Sequence, residues 1–137
     1  MEELIVKGAH SHARQQLIER GRMIRVAAKK DVLFVCSENQ WRSPTAEAVW
    51  RKHPLLSVRS GGTSSSARHT VSIDDIRWAD VILVMEEKHK SRLLAAFGPA
   101  LGRTPLHVLD IPDSYRYMDP DLVAELETSV AALLDLD

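Results

Sequence analysis

Residues 32–47 read Val32-Leu33-Phe34-Val35-Cys36-Ser37-Glu38-Asn39-Gln40-Trp41-Arg42-Ser43-Pro44-Thr45-Ala46-Glu47. The first four are a continuous apolar run, the pattern of a short strand covered on both faces. The last five read as a helix opening. Ser43 suits the N-cap, Pro44 the first helical position, and Glu47 the positive end of the helix dipole. Between strand and helix lies a tight loop that begins with Cys36, the only cysteine of the chain. Strand, loop and helix N-terminus in that order form an anion cradle, because loop amides and the unpaired amides of the first turn converge on one spot. A cysteine at its mouth gives up its proton readily, thiolate being the charged form. Arg42 adds a planar guanidinium that matches phosphate oxygens two at a time. A nucleophile and a phosphate clamp on one loop point to phosphoester chemistry. The commonest fate of a free cysteine is to fill core space, but that role would explain neither Arg42 nor the helix start.

Working outward, Val81-Ile82-Leu83-Val84 is a second buried strand, Leu106-His107-Val108-Leu109 a weaker third, and Leu56-Ser57-Val58-Arg59 an edge strand. Helical segments separate them. Ser72 and Asp75 form a capping-box variant, with Val71 and Ile76 as its hydrophobic staple. The helix after Met85 is expected to stop at Gly98-Pro99. Asp119-Pro120 opens the last helix, whose Leu122, Leu126, Val130, Leu133 and Leu134 share one face. Trp50 and Trp78 fall at core spacing on helices and read as packing residues. Strands alternating with helices predict an α/β fold: a small, doubly wound, four-stranded parallel sheet in flavodoxin-like order. Such sheets bind ligands beyond the carboxyl ends of their strands, so the loops that carry Cys36 and Asp110 should open onto one crevice.

A chain of 137 residues is one domain with a real core. We divide it into a basic, partly helical extension, 1–30, and an α/β domain, 31–137. The extension holds seven Lys/Arg against three Glu, a balance of +4, and the remainder eleven against sixteen, a balance of −5. Gln15-Gln16-Leu17-Ile18 suggests a short helix there. It reads as a helix docked on the body, a docking arm for an acidic partner, or an upstream start with Met23 the native beginning. One cysteine excludes an intramolecular disulfide and a multi-cysteine metal site, and it suits a reducing cytoplasm. No run approaches the ~20 apolar residues of a membrane span. The six histidines lack metal-ligand spacing. Neither a metal nor another cofactor is expected, and neither a nucleic acid nor a membrane partner. Oligomeric state is left open.

At Cys36 to Ser43 the chain resembles the low-molecular-weight protein tyrosine phosphatases, whose signature is Cys, five residues, Arg, then Ser or Thr. Val32 to Cys36 is similar to their first strand, Asn39 to their loop asparagine, and Ser43 to Val49 to their helix opening. Leu109-Asp110-Ile111-Pro112-Asp113-Ser114-Tyr115 falls where the family keeps its acidic loop, with Asp-Ile-Pro-Asp as in a shortened bacterial branch. The resemblance spans roughly residues 31–137. It implies a phosphotyrosine phosphatase I-like fold and a phosphocysteine intermediate on Cys36. Phosphate would be held by Arg42 and the loop residues Ser37, Glu38, Asn39, Gln40, Trp41 and Ser43. Ser43 would donate to the sulfur and Asn39 would brace the loop. Asp110, just past a strand end, is the favoured general acid and Asp113 its competitor, whereas Asp119 reads as an N-cap. Trp41, Tyr115 and Tyr117 would line the substrate slot, although the two tyrosines could equally pack the loop. The implied partner is a phosphotyrosine-containing protein or a small aryl phosphate.

Some positions depart from that pattern. Glu38 stands where glycine is usual, and a negative side chain there opposes anion binding unless it points outward. Trp41 stands where many members carry a second, protective cysteine, so an oxidised Cys36 would need an external thiol. The stretch Thr63-Ser64-Ser65-Ser66-Ala67-Arg68-His69 takes the place of the specificity loop or is a solvated loop. Two other functions fit the same loop: arsenate reduction with a borrowed thiol, and a non-catalytic phosphate- or phosphopeptide-binding module.

Overall fold

The computed structural model describes residues 29–136; the expectations for residues 1–28 lie outside that range. Four strands, β1 (Lys30–Cys36), β2 (Leu56–Gly62), β3 (Val81–Val84) and β4 (Leu106–Val108), form one parallel sheet in the order β2-β1-β3-β4. Four helices alternate with them: α1 (Arg42–Trp50), α2 (Ile73–Trp78), α3 (Glu87–Leu101) and α4 (Pro120–Leu134). β1 and β3 pair in the register Val32↔Val81 to Val35↔Val84, and β3 pairs with β4 from Ile82↔Leu106 to Val84↔Val108.

The two central strands alternate between two cores, as a period of two requires. Val32, Phe34, Val81 and Leu83 point to one face, where Ala46, Trp50, Leu122, Leu126 and Val130 cover them from α1 and α4. Leu33, Val35, Ile82 and Val84 point to the other face, under Ile76 of α2 and Leu93 and Leu101 of α3. Both faces are therefore dry, which is why these strands read as unbroken apolar runs.

Helix ends follow the sequence in two places and differ in two, and one residue of the last helix's apolar face is exposed. Ser72 caps α2 in a box with Asp75, and Val71 and Ile76 are both buried beside it. Asp119 caps α4, accepting from the Asp121 amide at 2.8 Å. By contrast, α1 begins at Arg42 with Trp41 as its N-cap, and the buried Ser43 lies inside the first turn. The Ser43 hydroxyl is drawn to the cysteine sulfur instead, and Glu47 bonds Ser60 rather than the helix start. α3 does not stop at Gly98-Pro99 but runs to Leu101, with Gly102 (φ +50°) as its cap. Pro99 lies in the last turn, where the helix loses only the one backbone bond that an N–H at this position would have made to Ala95. Leu133, in the final turn of α4, passes beyond the buried stripe and is exposed, while Leu134 packs against the core edge. Among the described residues no helix is long and apolar enough to cross a membrane.

Candidate active site

The carboxyl ends of β1 and β3 deliver two loops to one edge of the sheet. β1 ends on Cys36, and the chain then turns through Ser37 to Trp41 into α1. The turn requires Asn39 in the left-handed region (φ +55°), a conformation that asparagine tolerates better than most residues. Buried Asn39 fixes this turn by donating to Ser43 Oγ and to Ser60 Oγ, each at 2.9 Å. Ser43 Oγ also lies 3.0 Å from Cys36 Sγ and 3.3 Å from the Gly61 carbonyl. A hydroxyl has one proton, and Asn39 occupies a lone pair. A neutral thiol can therefore donate to Oγ while Oγ–H turns to Gly61. A thiolate instead receives the Oγ–H itself.

Arg42 is only 2% exposed. Its Nη1 donates to Glu86 Oε1 at 2.9 Å and to the Ile111 carbonyl at 2.7 Å, and its Nε lies 3.6 Å from Asp113 Oδ1. Nη2 has no protein partner among the described residues. The backbone of one loop and the carboxylate of another thus aim the guanidinium. Burial alone would raise the Glu86 pKa, but the hydrogen bond and charge of Arg42 outweigh it and hold the carboxyl below its ordinary value.

Cys36, Ser37, Glu38, Gln40, Trp41, Arg42 and Asp113 line a cleft of about 300 Å³, counted out to open solvent. Asp113 belongs to the segment after β4 and comes to the cleft through Arg42. Asp110, which the sequence favours, is exposed in a left-handed turn (φ +58°) and does not line the cleft. Trp41 forms one wall, with the Arg116 guanidinium 5.4 Å from its ring centroid. Tyr115 packs against the core edge and Tyr117 is exposed; neither lines the cleft. Glu38 is exposed at the rim, and Ser66 Oγ donates to its Oε1 at 3.0 Å.

Two features were missed in the sequence. Residues 63–68 are a backing strip for the loop rather than a free loop. The Thr63, Ser64 and Arg68 amides donate to the Cys36, Ser37 and Glu38 carbonyls, each at 3.0 Å. Gly62 lets the two segments approach, since a Cβ there would meet the Ser37 carbonyl oxygen at 2.4 Å. The second feature is Glu86, directly after Met85 at the carboxyl end of β3. The only available signal was its place on the same sheet edge as Cys36.

No family model matches the chain. The curated protein-tyrosine-phosphatase Wzb of Escherichia coli K12 is 31% identical, over 63% of this chain and 78% of its own length. Among solved structures, Wzb of Vibrio vulnificus in complex with benzylphosphonate superposes with a TM-score of 0.64 at 23% identity, covering 79% of this chain and 99% of that one. The tyrosine phosphatase Wzb of Escherichia coli K30 in complex with phosphate gives 0.63 at 21% identity, covering 78% and 97%. These two likenesses agree with the parallel α/β fold, and the first relative carries the family. The chain belongs to the low molecular weight protein-tyrosine-phosphatase family and is a cysteine-dependent phosphatase.

Proposed function

We propose that the substrate is an aryl phosphomonoester, in the cell the phosphotyrosine of a protein, and that Cys36, Arg42 and Asp113 carry its hydrolysis. Cys36 thiolate forms the S–P bond as the P–O bond to the leaving group breaks. Asp113, as the carboxylic acid, gives its proton to the departing oxygen. The resulting Asp113 carboxylate then takes a proton from water, whose oxygen attacks phosphorus and breaks the S–P bond. The products are phosphate and free thiolate. Arg42 and the amides from Ser37 to Ser43, including those of Glu38, Asn39, Gln40 and Trp41, hold the equatorial oxygens, where charge needs stabilising throughout. The Ser43 hydroxyl donates to sulfur when it leaves as thiolate.

The observation that carries this reading is the convergence of Cys36, Arg42 and Asp113 on one cleft, with Ser43 Oγ 3.0 Å behind the sulfur. It favours Asp113 over Asp110 as the acid. On binding, phosphate would take over Arg42 and free Asp113, itself half exposed, to face the leaving group. The flat wall of Trp41 suits an aromatic leaving group, and the benzylphosphonate bound to the Vibrio vulnificus relative is of that type. Tyr115 and Tyr117 stand outside the cleft, Tyr115 as packing. A lone cysteine leaves no relay for arsenate reduction, and it suits a reducing cytoplasm, where we place the enzyme. Kinetics with a small aryl phosphate test the assignment. Cys36→Ser should abolish turnover. Asp113→Asn should lower kcat by about 10²-fold or more, and Asp110→Asn should change it by no more than about twofold. The reverse order of the two aspartates would move the acid to Asp110.

A further inference from the structure

Beneath the loop lies a side chain that this reaction scheme does not use. His89, in the first turn of α3, is 0% exposed. Its Nδ1 accepts the Glu86 backbone N–H at 3.0 Å. An amide N–H only donates, so Nδ1 holds a lone pair and the proton of the neutral ring sits on Nε2. Nε2 is 2.9 Å from Ser37 Oγ, to which it therefore donates. Burial, and next the positive charge of Arg42, push the His89 pKa down to about 4, in keeping with a neutral ring.

The ring joins the first residue of the phosphate loop to a residue outside it that holds the loop's other end. Ser37 directly follows the nucleophile. Glu86, whose amide His89 holds, grips Arg42 with its carboxylate at 2.9 Å. An apolar residue would fill the same space without the cost of burying two ring nitrogens, so the polar ring needs a reason. We propose that His89 is a positioning residue of the active site, tying Ser37 at the start of the phosphate loop to the Glu86–Arg42 pair at its end. It touches neither substrate nor the reacting atoms. It acts by keeping the Cys36-side amides and the guanidinium in fixed register, and it rests on the phosphatase reading above.

Two variants separate positioning from mere support. His89→Asn keeps an acceptor near the place of Nδ1 for the Glu86 amide but stops short of Ser37. Ser37→Ala removes only the hydroxyl and leaves the loop backbone intact. For each variant and the double variant, kcat/KM on a small aryl phosphate, vanadate affinity by calorimetry and the melting temperature are measured. Each single variant should lose about tenfold in kcat/KM and in vanadate affinity, and the double variant no more than either single. Additive losses, or a lowered melting temperature with kcat/KM and vanadate affinity unchanged, would overturn the proposal. Should His89→Asn not fold, Ser37→Ala decides alone, and wild-type behaviour there overturns it. A wild type that binds vanadate without turnover removes the proposed function, yet the variants' vanadate affinities still decide on His89. A wild type that does neither overturns both.

Discussion

The Ser43 hydroxyl is the smallest group on which the chemistry turns. It is held by Asn39 on one side and offers its proton to either Cys36 sulfur or the Gly61 carbonyl. Among the described residues Ser43→Ala removes the one side-chain hydroxyl bonded to the sulfur, so kcat should fall about tenfold, and because a buried Asn39 N–H loses its acceptor, stability should fall by about 1–3 kcal/mol. Arg42→Lys keeps the charge but cannot hold the Glu86 carboxylate and the Ile111 carbonyl while also clamping phosphate. We expect a loss of about 10²–10³-fold in kcat, read by steady-state kinetics; near-wild-type turnover would remove the bidentate role. The sequence made Cys36, Arg42 and Ser43 legible because they lie on one contiguous turn. Glu86 and His89 stayed hidden because they reach the loop from 44 and 52 residues away, through a sheet edge that no local pattern records. Which of Asp110 and Asp113 lines the cleft depends on backbone conformation that no local pattern records: Asp110 adopts a left-handed turn, and the next two residues carry the chain back to Arg42.

Among the elements, the strand β2 and the strip that follows it shape the loop more than their composition suggests. A run of Thr, Ser and Arg looks solvated, but the Thr63, Ser64 and Arg68 amides are paired with successive loop carbonyls. Gly62 makes this pairing possible. Gly62→Ala would drive a methyl into the Ser37 carbonyl and the Ala67 side chain, at 2.4 and 2.6 Å, both too rigid to yield cheaply. Stability should fall by roughly 1–3 kcal/mol, read by urea titration, and phosphate affinity should fall with it. An alanine variant with wild-type stability and affinity would show that the strip does not brace the loop. The buried strands and the caps at Ser72 and Asp119 could be read directly, since apolar runs and side-chain caps are local signals. The Ser43 cap could not, because tertiary demand from Cys36 overrode the local preference. Pro99 does not end its helix because a proline in the last turn removes only one backbone bond.

For the whole molecule, buried ionisable groups predict how stability follows pH. Folded His89 is held to about 4, against 6.5 in the unfolded chain. Between those values only the unfolded state binds the proton, so stability falls as pH drops through this window and levels off below it. Glu86 and Asp75 act in the same sense at lower pH. Burial raises each, but Arg42 outweighs it for Glu86, and the Ser72 amide and His69 outweigh it for Asp75. Their contribution is present above the unfolded carboxylate values and is lost as pH falls through the lowered ones. Asp31, raised by burial and then by Asp80, opposes them over the carboxylate range. The melting temperature should therefore fall on acidification from neutral pH, and His89→Asn should flatten the part of the curve between 6.5 and about 4. An identical slope in both proteins would mean that His89 is not held neutral in the fold. All of this supports a single chemical event, the transfer of phosphate to one sulfur. Its most direct test is rapid acid quench of the enzyme during turnover of an aryl phosphate, followed by peptide mass spectrometry. The expected result is a phosphoryl group on the peptide that contains Cys36, accumulating further in Asp113→Asn and absent from Cys36→Ala. Turnover with no phosphoryl group on that peptide, or turnover that survives in Cys36→Ala, would contradict the account.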